Sequence, residues 1–439
     1  MKKIVFIGAG SLVFTRNLAR DILTFSALSE VHFALVDTNA EKLPLVQAVL
    51  EKLIQEGKYK ATVSSTIDRR EALKNADGVL ITISTGDYWN CIHTDLEIPM
   101  KYGVDLCVGD TRGPGGIFRM LRTLPALLDI CRDIEELAPR SIVLNYTNPM
   151  AMLCRALQEK TNLKVTGLCH SVQHTAQMLA KWIGAPLDEI SYICAGINHQ
   201  AHYLDFRWKG EDAYPLIRRV IESDSAIYKE EQVRNEMFLR LDYYVTESSG
   251  HASEYNAWFR KRKDLLEEYC THGTGWNPGL HEMGTDFSKG NSWREEFAKS
   301  LNSDKIDLKR GEEYAAYIFN ACFGDKTPYM FHGNTRNFGL IDNLPVGSCV
   351  EVPMLAGTEG IRPIRVGALP PQLAALNTLN AMCEDMAVQG FFCKNRRMIY
   401  HAICLDPLTS AVLSLREIER MTDEMFEANK TYLSEAFYQ

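Results

Sequence analysis

The 439-residue sequence contains no apolar run of the roughly 18 residues that a membrane-spanning helix requires. Its first residues, Met1-Lys2-Lys3, lead straight into a short apolar segment and a glycine turn. A secretory signal peptide would instead continue with a longer apolar segment and a small-residue cleavage site. We therefore expect a cytoplasmic protein that has no membrane partner.

Charge of one sign is not concentrated anywhere along the chain. The 48 lysines and arginines and the 56 acidic residues are interspersed and leave a formal net charge of −8. A nucleic-acid-binding domain normally carries a basic patch or stripe, so we expect no nucleic-acid partner. Repeats, low-complexity segments and linkers are absent too, and a small molecule is the partner we expect.

The sequence has twelve cysteines but lacks any Cys-x-x-Cys pair. Scattered cysteines in a long chain without a secretion signal are expected to be free thiols. Most of them should serve as small apolar core residues. Cys169 is the exception, because it follows a candidate strand and precedes a histidine.

Short apolar runs alternate with helical segments over roughly the first 170 residues. Valine, isoleucine and leucine dominate these runs, as in the buried strands of a parallel sheet. The pattern predicts an α/β fold with a doubly wound, Rossmann-type sheet. The predicted strands are Lys3–Ile7, Val31–Val36, Gly78–Ile83, Asp105–Val108, Ser141–Leu144 and Lys164–Leu168, and the first predicted helices are Arg16–Phe25 and Ala40–Glu56.

The second half of the chain has a different pattern. Aromatic, histidine and glycine residues are denser there, in irregular stretches such as Thr246–Phe259. Long helices are predicted again at Pro371–Gln389, Asn395–Cys404 and Pro407–Ala428. We therefore expect a nucleotide-binding domain at residues 1–195 and a second α/β (α+β) catalytic domain at residues 196–439, packed directly on the first.

A glycine turn follows the first predicted strand. Gly8 permits the tight turn, and Gly10 lets the backbone approach a pyrophosphate at the start of the next helix. Val13 stands in place of the third glycine of the usual fingerprint. Asp37, at the end of the second strand, can bind the adenosine ribose hydroxyls and would repel a 2′-phosphate. We expect NAD to be bound by Gly8, Gly10, Ser11, Asp37 and Thr85; the alternative is a glycine turn in a nucleotide-free domain.

A cysteine and two histidines lie near candidate strand ends. The strand Lys164–Leu168 leads into Cys169-His170, and His199 follows later in the chain. Ligands bind at the carboxyl ends of strands in a doubly wound sheet. A thiolate and an imidazole suit a divalent metal and leave positions open for water and substrate hydroxyls. The alternative is a buried cysteine and a hydrogen-bonded histidine, each more common than a metal ligand.

Polar residues occupy two further loops at the same expected edge. Asn148 can hold a sugar hydroxyl or the nicotinamide end of a cofactor; a turn residue before proline is the alternative. The loop Asp110–Gly116 opens a helix and is too rich in glycine for us to expect packing as its role. We expect Asp110 and Arg112 to bind substrate, which would approach the backbone of this loop.

At these residues the sequence resembles glycoside hydrolase family 4 over nearly its whole length, and within it the α-galactosidase (melibiase) branch. The resemblance implies a Rossmann domain like that of lactate and malate dehydrogenases, with NAD and a divalent ion, usually manganese. It implies Cys169 and His199 as metal ligands and Asn148 as a substrate contact. The matching segments are Phe6–Ser11, Asp110-Thr111, Gly113–Ile117, Leu144–Tyr146, Asn148–Met152, Gly167–Gln173, Cys194–His199, Val245–Ser249 and Gly339–Pro345.

The resemblance also implies a reaction that departs from the ordinary pair of glycosidase carboxylates. NAD takes a hydride from C3 of a terminal α-galactoside, and a base then removes the C2 proton. The C1 leaving group is eliminated, water adds to the unsaturated intermediate, and the hydride returns. The metal would act as a Lewis acid on the C2 and C3 oxygens.

The acid and the base of this reaction are open in the sequence. His170 could protonate the leaving oxygen, although a contact with a sugar hydroxyl is as good an interpretation. Family members that act on phosphorylated sugars tend to carry Asp or Asn at this position, so His170 indicates an unphosphorylated substrate. His251, Glu254 and Tyr255 all remain candidates for the base, with His251 slightly ahead. Gly250 replaces an acidic residue of the melibiase-like pattern, so specificity could differ.

Other functions fit parts of the sequence. An α-glucosidase or an α-uronidase of the same family is one alternative, and Arg112 and Arg336 are candidates to hold a uronate carboxylate. A 2-hydroxyacid dehydrogenase would share the fold but gives no reason for Cys169 to pair with His199. A non-enzymatic NAD sensor is a further alternative. By family analogy we expect a homodimer or homotetramer.

Overall fold

The computed structural model describes residues 1–271, Thr274, 293–302 and 306–438. Within these ranges no helix is both long enough and apolar enough to cross a bilayer. The strands are β1 (Lys3–Ile7), β2 (His32–Val36), β3 (Thr62–Thr66), β4 (Gly78–Ile81), β5 (Ile142–Asn145), β6 (Val165–Gly167), β7 (Ile190–Ala195), β8 (His202–Trp208), β9 (Glu211–Asp212), β10 (Tyr329–Arg336), β11 (Cys349–Gly357) and β12 (Gly360–Pro363).

Nine of these strands form one sheet, in the order β12-β11-β10-β6-β5-β4-β1-β2-β3. Strands β1 to β6 are parallel and lie in the order that defines the Rossmann arrangement. Strands β10 to β12 extend this sheet: β10 pairs antiparallel with β6, β11 with β10, and β12 with β11. The predicted α/β class with a Rossmann-type sheet is confirmed.

Helices cover both faces of the large sheet, and others pack against the strands β7 and β8 or against one another. The α-helices of the described residues are α1 (Leu12–Leu23), α2 (Leu43–Glu56), α3 (Arg69–Leu73), α4 (Tyr88–Lys101), α5 (Gly113–Leu137), α6 (Met150–Lys160), α7 (Ser171–Trp182), α8 (Tyr214–Ser223), α9 (Ser225–Glu230), α10 (Gln232–Leu241), α11 (Ser249–Glu254), α12 (Lys263–Tyr269), α13 (Trp293–Asn302), α14 (Tyr314–Phe323), α15 (Pro371–Cys393), α16 (Arg396–Cys404), α17 (Pro407–Val412) and α18 (Leu415–Ala428).

The central strands are apolar on both sides because each side packs on a helix layer. In β1, Val5 and Ile7 belong to one apolar core, whereas Ile4 and Phe6 belong to the other. Alternate residues of a strand point to opposite faces, so a near-continuous apolar run is needed to fill both cores. This is the signal through which the sequence predicted these strands.

The prediction of strands from apolar runs missed β3 and wrongly assigned one strand. Residues Thr62–Thr66 form an edge strand with a partly exposed, polar sequence, so no apolar run marks them. Asp105–Val108 has the apolar run but lies outside any strand. Its amides at Cys107 and Val108 are bonded instead by the buried Glu254 carboxylate, at 2.7 and 2.9 Å.

The two predicted halves of the chain share the large sheet, since β10 to β12 come from the second half. A separate antiparallel sheet, in the order β7-β8-β9, is formed by residues on both sides of position 195 in the sequence. Gly196 links the two sheets through a pair of backbone hydrogen bonds with Glu351 of β11. A domain boundary at residue 195 stays a prediction.

The glycines that open α5 serve packing, and our expectation for them was wrong. A Cβ atom on Gly115 would lie 2.6 Å from the Gly109 carbonyl oxygen. A Cβ atom on Gly116 would lie 2.5 Å from the Thr111 carbonyl carbon. The first turn of α5 therefore presses directly on the backbone of residues 109–111, and this contact holds that loop in place.

We predict that Gly116→Ala destabilises the protein by about 1–3 kcal/mol, because the new methyl group must displace backbone atoms rather than a flexible side chain. Urea-induced unfolding followed by circular dichroism would measure the loss. Gly357→Ala is the matched control, since a Cβ atom there meets nothing within 4 Å. Equal stability of the two variants would contradict this account.

Candidate active site

Two predicted metal-binding residues meet at the carboxyl edge of the parallel strands. Cys169 lies just beyond the end of β6, and His199 lies in the turn after β7. The Gly196–Glu351 hydrogen bonds bring that turn against the sheet. The Cys169 Sγ and His199 Nε2 atoms are 3.2 Å apart. The sequence-based pairing of these residues is thus matched by direct contact.

Glu247 is a third member of this group that the sequence analysis did not assign. Its Oε2 atom lies 3.5 Å from His199 Nε2 and 4.0 Å from Cys169 Sγ. One ligand atom from each of the three residues lies within 4.8 Å of the other two. Glu247 is an acidic residue in Val245–Ser249, one of the segments that match the family, and this could have marked it as a candidate. Its distance along the chain from Cys169 and His199 does not indicate that the three residues meet.

The backbone around this cluster adopts uncommon conformations. His199 has a φ of 62° and Glu247 a φ of 69°, values that residues with a side chain adopt infrequently. Both residues contribute to the cluster, and such conformations concentrate at functional sites. The local strain supports a role in chemistry rather than in packing.

The donor set fits a divalent cation. A thiol, an imidazole and a carboxylate are the ligand types that transition metals bind in proteins. Burial, together with the charges of Glu247 and Glu351, raises the pKa of the Cys169 thiol above its ordinary value. Burial lowers the pKa of His199 to about 4, so its imidazole is neutral and able to donate a lone pair. A cation would reverse the cost of bringing anionic groups together here.

Several buried polar atoms around the cluster have no hydrogen bond of good geometry among the described residues. Most buried polar groups in proteins do have one, so such a concentration indicates a site for polar ligands. The atoms without a hydrogen bond of good geometry are Asn148 Oδ1, the Ser171 and Thr246 hydroxyls, both amide atoms of Asn198, and both carboxyl oxygens of Glu351. Among them, the Ser171 hydroxyl still interacts with Cys169, and the Glu351 carboxyl with the Asn198 and Asn334 side chains. Water, sugar hydroxyls and a metal ion are ligands of this kind.

Asp110 connects the loop before α5 to this cluster. Its carboxylate accepts hydrogen bonds from Thr111 Oγ1 at 2.6 Å and from Asn148 Nδ2 at 3.2 Å. His251 Nε2 lies 3.4 Å from the same carboxylate. Burial opposes ionisation of Asp110, but His251 outweighs it and holds the pKa of Asp110 below its ordinary value. Its contact with substrate stays a prediction.

The three base candidates differ in their surroundings. His251 lies between two carboxylates: burial lowers its pKa, but Glu247 and Asp110 raise it to about 9. Tyr255 is buried, and its hydroxyl lies 3.3 Å from His199 Nδ1. Glu254 has its carboxylate occupied by the backbone amides of residues 107–109. Glu254 therefore anchors a loop, which leaves His251 and Tyr255 facing the cluster.

His170 lies on the open side of the cluster, with its side chain 34% exposed. Its Nε2 atom lies 2.8 Å from Glu313, a partner that the sequence analysis missed. Burial lowers the pKa of His170, but Glu313 more than compensates and raises it. The raised pKa favours a protonated imidazole, which is the form that a proton donor needs.

The two arginines considered for a uronate both have protein partners, although the Arg112 Nη1 atom has none among the described residues. The buried Arg112 guanidinium bonds Glu384 at 2.8 Å and the Asn198 carbonyl, and lies 4.6 Å from the Tyr255 ring centre. Arg336 donates to the Gly347 carbonyl at 3.1 Å. Arg112 thus holds the Asn198 backbone and the Tyr255 ring beside the cluster. Its contact with substrate stays a prediction.

The glycine turn after β1 has the form that a dinucleotide requires. Gly8 has a φ of 93°, and a Cβ atom there would strike the Thr82 carbonyl at 2.4 Å. Gly10 donates its backbone amide to Asp37 at 2.7 Å. Ser11 precedes α1 without a side-chain capping bond, so the first amides of this helix remain available to an anion. Thr85 bonds the Thr123 hydroxyl at 2.9 Å.

Comparison with known proteins agrees with this architecture. The family model described as family 4 glycosyl hydrolase matches residues 3–185, and the model of its C-terminal domain matches residues 194–409. The chain therefore belongs to glycosyl hydrolase family 4, as the sequence motifs predicted. An alpha-galactosidase of Bacillus subtilis is 39% identical over 99% of this chain and 100% of its own length. An alpha-galactosidase of Rhizobium meliloti is 34% identical over 98% and 89%.

Solved structures share the fold. The lplD protein of Bacillus subtilis superposes with a TM-score of 0.85 at 24% identity, covering 97% of this chain and 99% of its own. A 6-phospho-alpha-glucosidase from gut microorganisms, solved in complex with NAD and Mn²⁺, gives a TM-score of 0.82 at 19% identity, covering 98% and 99%. At such identities the likeness establishes the fold and leaves specificity to the side chains.

We predict that Glu254→Gln lowers the free energy of unfolding by about 1–3 kcal/mol, because an amide group would face the backbone N–H groups that the carboxylate now satisfies. Thermal and urea unfolding would measure the change. Glu267→Gln, on the exposed face of α12, is the control. Unchanged stability with a large loss of kcat would instead identify Glu254 as the base.

Proposed function

We propose that the protein is an NAD- and manganese-dependent α-galactosidase that cleaves terminal α-galactosides by transient oxidation of the sugar. The observation that carries the proposal is the group of Cys169, His199 and Glu247, whose ligand atoms lie within 4.8 Å of one another. Two relatives with this activity match nearly the whole chain. The solved relative with NAD and Mn²⁺ supports the same pair of cofactors here.

The residues present fit NAD. Gly8 permits the tight turn after β1, and Gly10 donates its amide to Asp37. The uncapped start of α1 would face the pyrophosphate of the cofactor. Asp37 uses its carboxylate to hold Gly10 and Asn39, yet a carboxylate has further lone pairs for ribose hydroxyls. Its negative charge favours NAD over NADP.

Cys169, His199 and Glu247 would hold the metal ion, at the same edge of the sheet as the glycine turn. When bound, NAD accepts and returns a hydride, and the metal ion polarises the oxygens of the sugar. Asn148 would orient the sugar, because its buried Oδ1 atom has no other partner among the described residues while its amide group is held by Asp110.

His170 would donate the proton to the leaving oxygen, with Glu313 holding the imidazole in place. His251 or Tyr255 would take the C2 proton. His251 needs to lose its own proton first, and its neighbours Glu247 and Asp110 oppose that loss. A metal ion beside Glu247 would offset the negative charge that raises the pKa of His251. The size of that effect decides whether His251 or Tyr255 is the base.

The described side chains favour a neutral, unphosphorylated sugar. Arg112 is paired with Glu384, and Arg336 is turned to the Gly347 carbonyl. His170 occupies the position at which phospho-specific relatives tend to carry Asp or Asn. We accordingly favour galactosides over uronides. We also infer a cytoplasmic location, in keeping with twelve described cysteines that form no disulfide. By family analogy we infer a homodimer or homotetramer.

We expect the purified protein, supplied with NAD, Mn²⁺ and a thiol, to hydrolyse nitrophenyl α-galactoside faster than the matching α-glucoside, α-galacturonide and 6-phospho-sugars. Release of nitrophenol measures each rate, and omission of NAD is the control. Faster cleavage of the glucoside or the uronide would move the protein to another branch of its family. Net NADH formation from lactate or malate would support a dehydrogenase instead.

Turnover in heavy water separates this chemistry from ordinary hydrolysis. Removal of the C2 proton exchanges it with solvent, so the galactose product should carry deuterium at C2. Mass spectrometry and proton NMR would detect it, with unreacted galactose incubated under the same conditions as the control. Product without deuterium would rule out the elimination route.

We predict that Cys169→Ser weakens Mn²⁺ binding by more than about tenfold, because a neutral hydroxyl replaces a thiolate ligand. Electron paramagnetic resonance of free Mn²⁺ measures the affinity. Cys393→Ser, at an exposed position at the end of α15, should bind Mn²⁺ as the unmodified protein does. Equal Mn²⁺ affinity in both variants would mean that Cys169 is not a ligand.

A further inference from the structure

Thr111 lies between the Asp110 carboxylate and the His199 imidazole. Its hydroxyl is 2.6 Å from Asp110 Oδ1 and 3.0 Å from His199 Nδ1. Thr111 is 1% exposed, so water does not compete for these contacts. The hydroxyl therefore links the partly buried Asp110 carboxylate to the ring nitrogen of His199 that faces away from Cys169.

The direction of these hydrogen bonds follows from the number of protons available. An ionised carboxylate only accepts, so the single proton of the Thr111 hydroxyl is donated to Asp110. The hydroxyl oxygen then presents a lone pair to His199, and His199 Nδ1 must carry the proton. A neutral imidazole has one N–H group, so His199 Nε2 is left with a lone pair.

This lone pair points toward the cluster. His199 Nε2 lies 3.2 Å from Cys169 Sγ and 3.5 Å from Glu247 Oε2. Tyr255 contacts the same Nδ1 atom at 3.3 Å, a longer distance than that of Thr111, and its oxygen can share the Nδ1 proton as a second acceptor. The opposite tautomer would set the Nδ1 lone pair against the Thr111 oxygen and lose the 3.0 Å bond. Among the described residues, Nδ1 would then have only the Tyr255 hydroxyl, at the longer distance of 3.3 Å, as a donor.

The backbone holds Thr111 in this place. A Cβ atom on Gly116 would lie 2.5 Å from the Thr111 carbonyl carbon, so only glycine lets α5 pack so closely on the loop. Main-chain packing thus fixes the backbone of Thr111, from which its short side chain extends. Hydrogen-bonded partners behind a metal-binding histidine commonly set its tautomer and orientation.

We propose that Thr111 is a positioning residue in a hydrogen-bond relay: its hydroxyl donates to Asp110 and accepts from His199 Nδ1, and so presents His199 Nε2 to the metal ion. The inference rests on the metal site proposed above and adds a residue that never touches the ion. It also gives Asp110 a second task besides any contact with substrate, since the Asp110 carboxylate orients the hydroxyl.

The test compares Thr111→Val with Thr111→Ser. Valine keeps the shape and removes the hydroxyl, whereas serine keeps the hydroxyl. With NAD present, we expect Thr111→Val to weaken Mn²⁺ binding by about 10- to 100-fold and Thr111→Ser to stay within about threefold of the unmodified protein. Electron paramagnetic resonance of Mn²⁺ is the readout, and Thr422→Val, a buried threonine on α18, is the matched control.

Two outcomes overturn different statements. If Cys169→Ser loses Mn²⁺ and Thr111→Val keeps full affinity, the relay is wrong and the metal site stands. If Cys169→Ser also keeps full affinity, the proposed metal site falls and the relay with it. Loss of affinity in Thr111→Val, restored in Thr111→Ser and absent in Thr422→Val, supports the relay.

A second measurement uses the protein with Thr111 unchanged, so it does not depend on whether a Thr111 variant folds. Nitrogen-15 NMR of histidine-labelled, metal-free protein reports which ring nitrogen carries the proton, and His199→Gln identifies the signal. The relay requires the proton of His199 on Nδ1. A His199 signal with its proton on Nε2 would overturn the proposal, whatever the affinities of the variants.

Discussion

The site depends on the close approach of three candidate metal-ligand groups, of which His199 is buried and Cys169 and Glu247 are partly buried. Cys169, His199 and Glu247 come from three separate segments, yet their ligand atoms lie within 4.8 Å of one another. A thiol, an imidazole and a carboxylate gain little from such a contact in the absence of positive charge. The strained backbone at His199 and Glu247 shows that the rest of the fold enforces it.

The scaffold supplies that enforcement through main-chain contacts. The Gly196–Glu351 hydrogen bonds place the His199 turn on the edge of the sheet, and the glycines of α5 let the 109–111 loop lie beside it. Glu254 completes the arrangement by bonding the amides of residues 107–109, which lead into the same loop. The second half of the chain thus completes a ligand crevice that the Rossmann strands begin.

The two sides of the site have different electrostatic tasks. On one side, Glu313 keeps His170 suited to donating a proton at the open rim. On the other, Asp110 collects contacts from Thr111, Asn148 and His251 in the interior. In the function proposed above, a sugar between them would meet a proton donor at its leaving group and polar groups at its ring hydroxyls, as an elimination through C2 requires.

The sequence by itself determined the Rossmann strands, the glycine turn, the family, and Cys169 with His199, because these signals are local: apolar runs, glycines and short motifs at strand ends. It missed β3, whose polar edge position leaves no apolar run, and misassigned residues 105–108, where two of the amides bond Glu254. Only the tertiary structure brought Glu247, Glu313 and Thr111 to the site and turned Glu254 and Arg112 to structural partners. Those roles depend on distances between residues far apart in the chain, which no spacing in the sequence encodes.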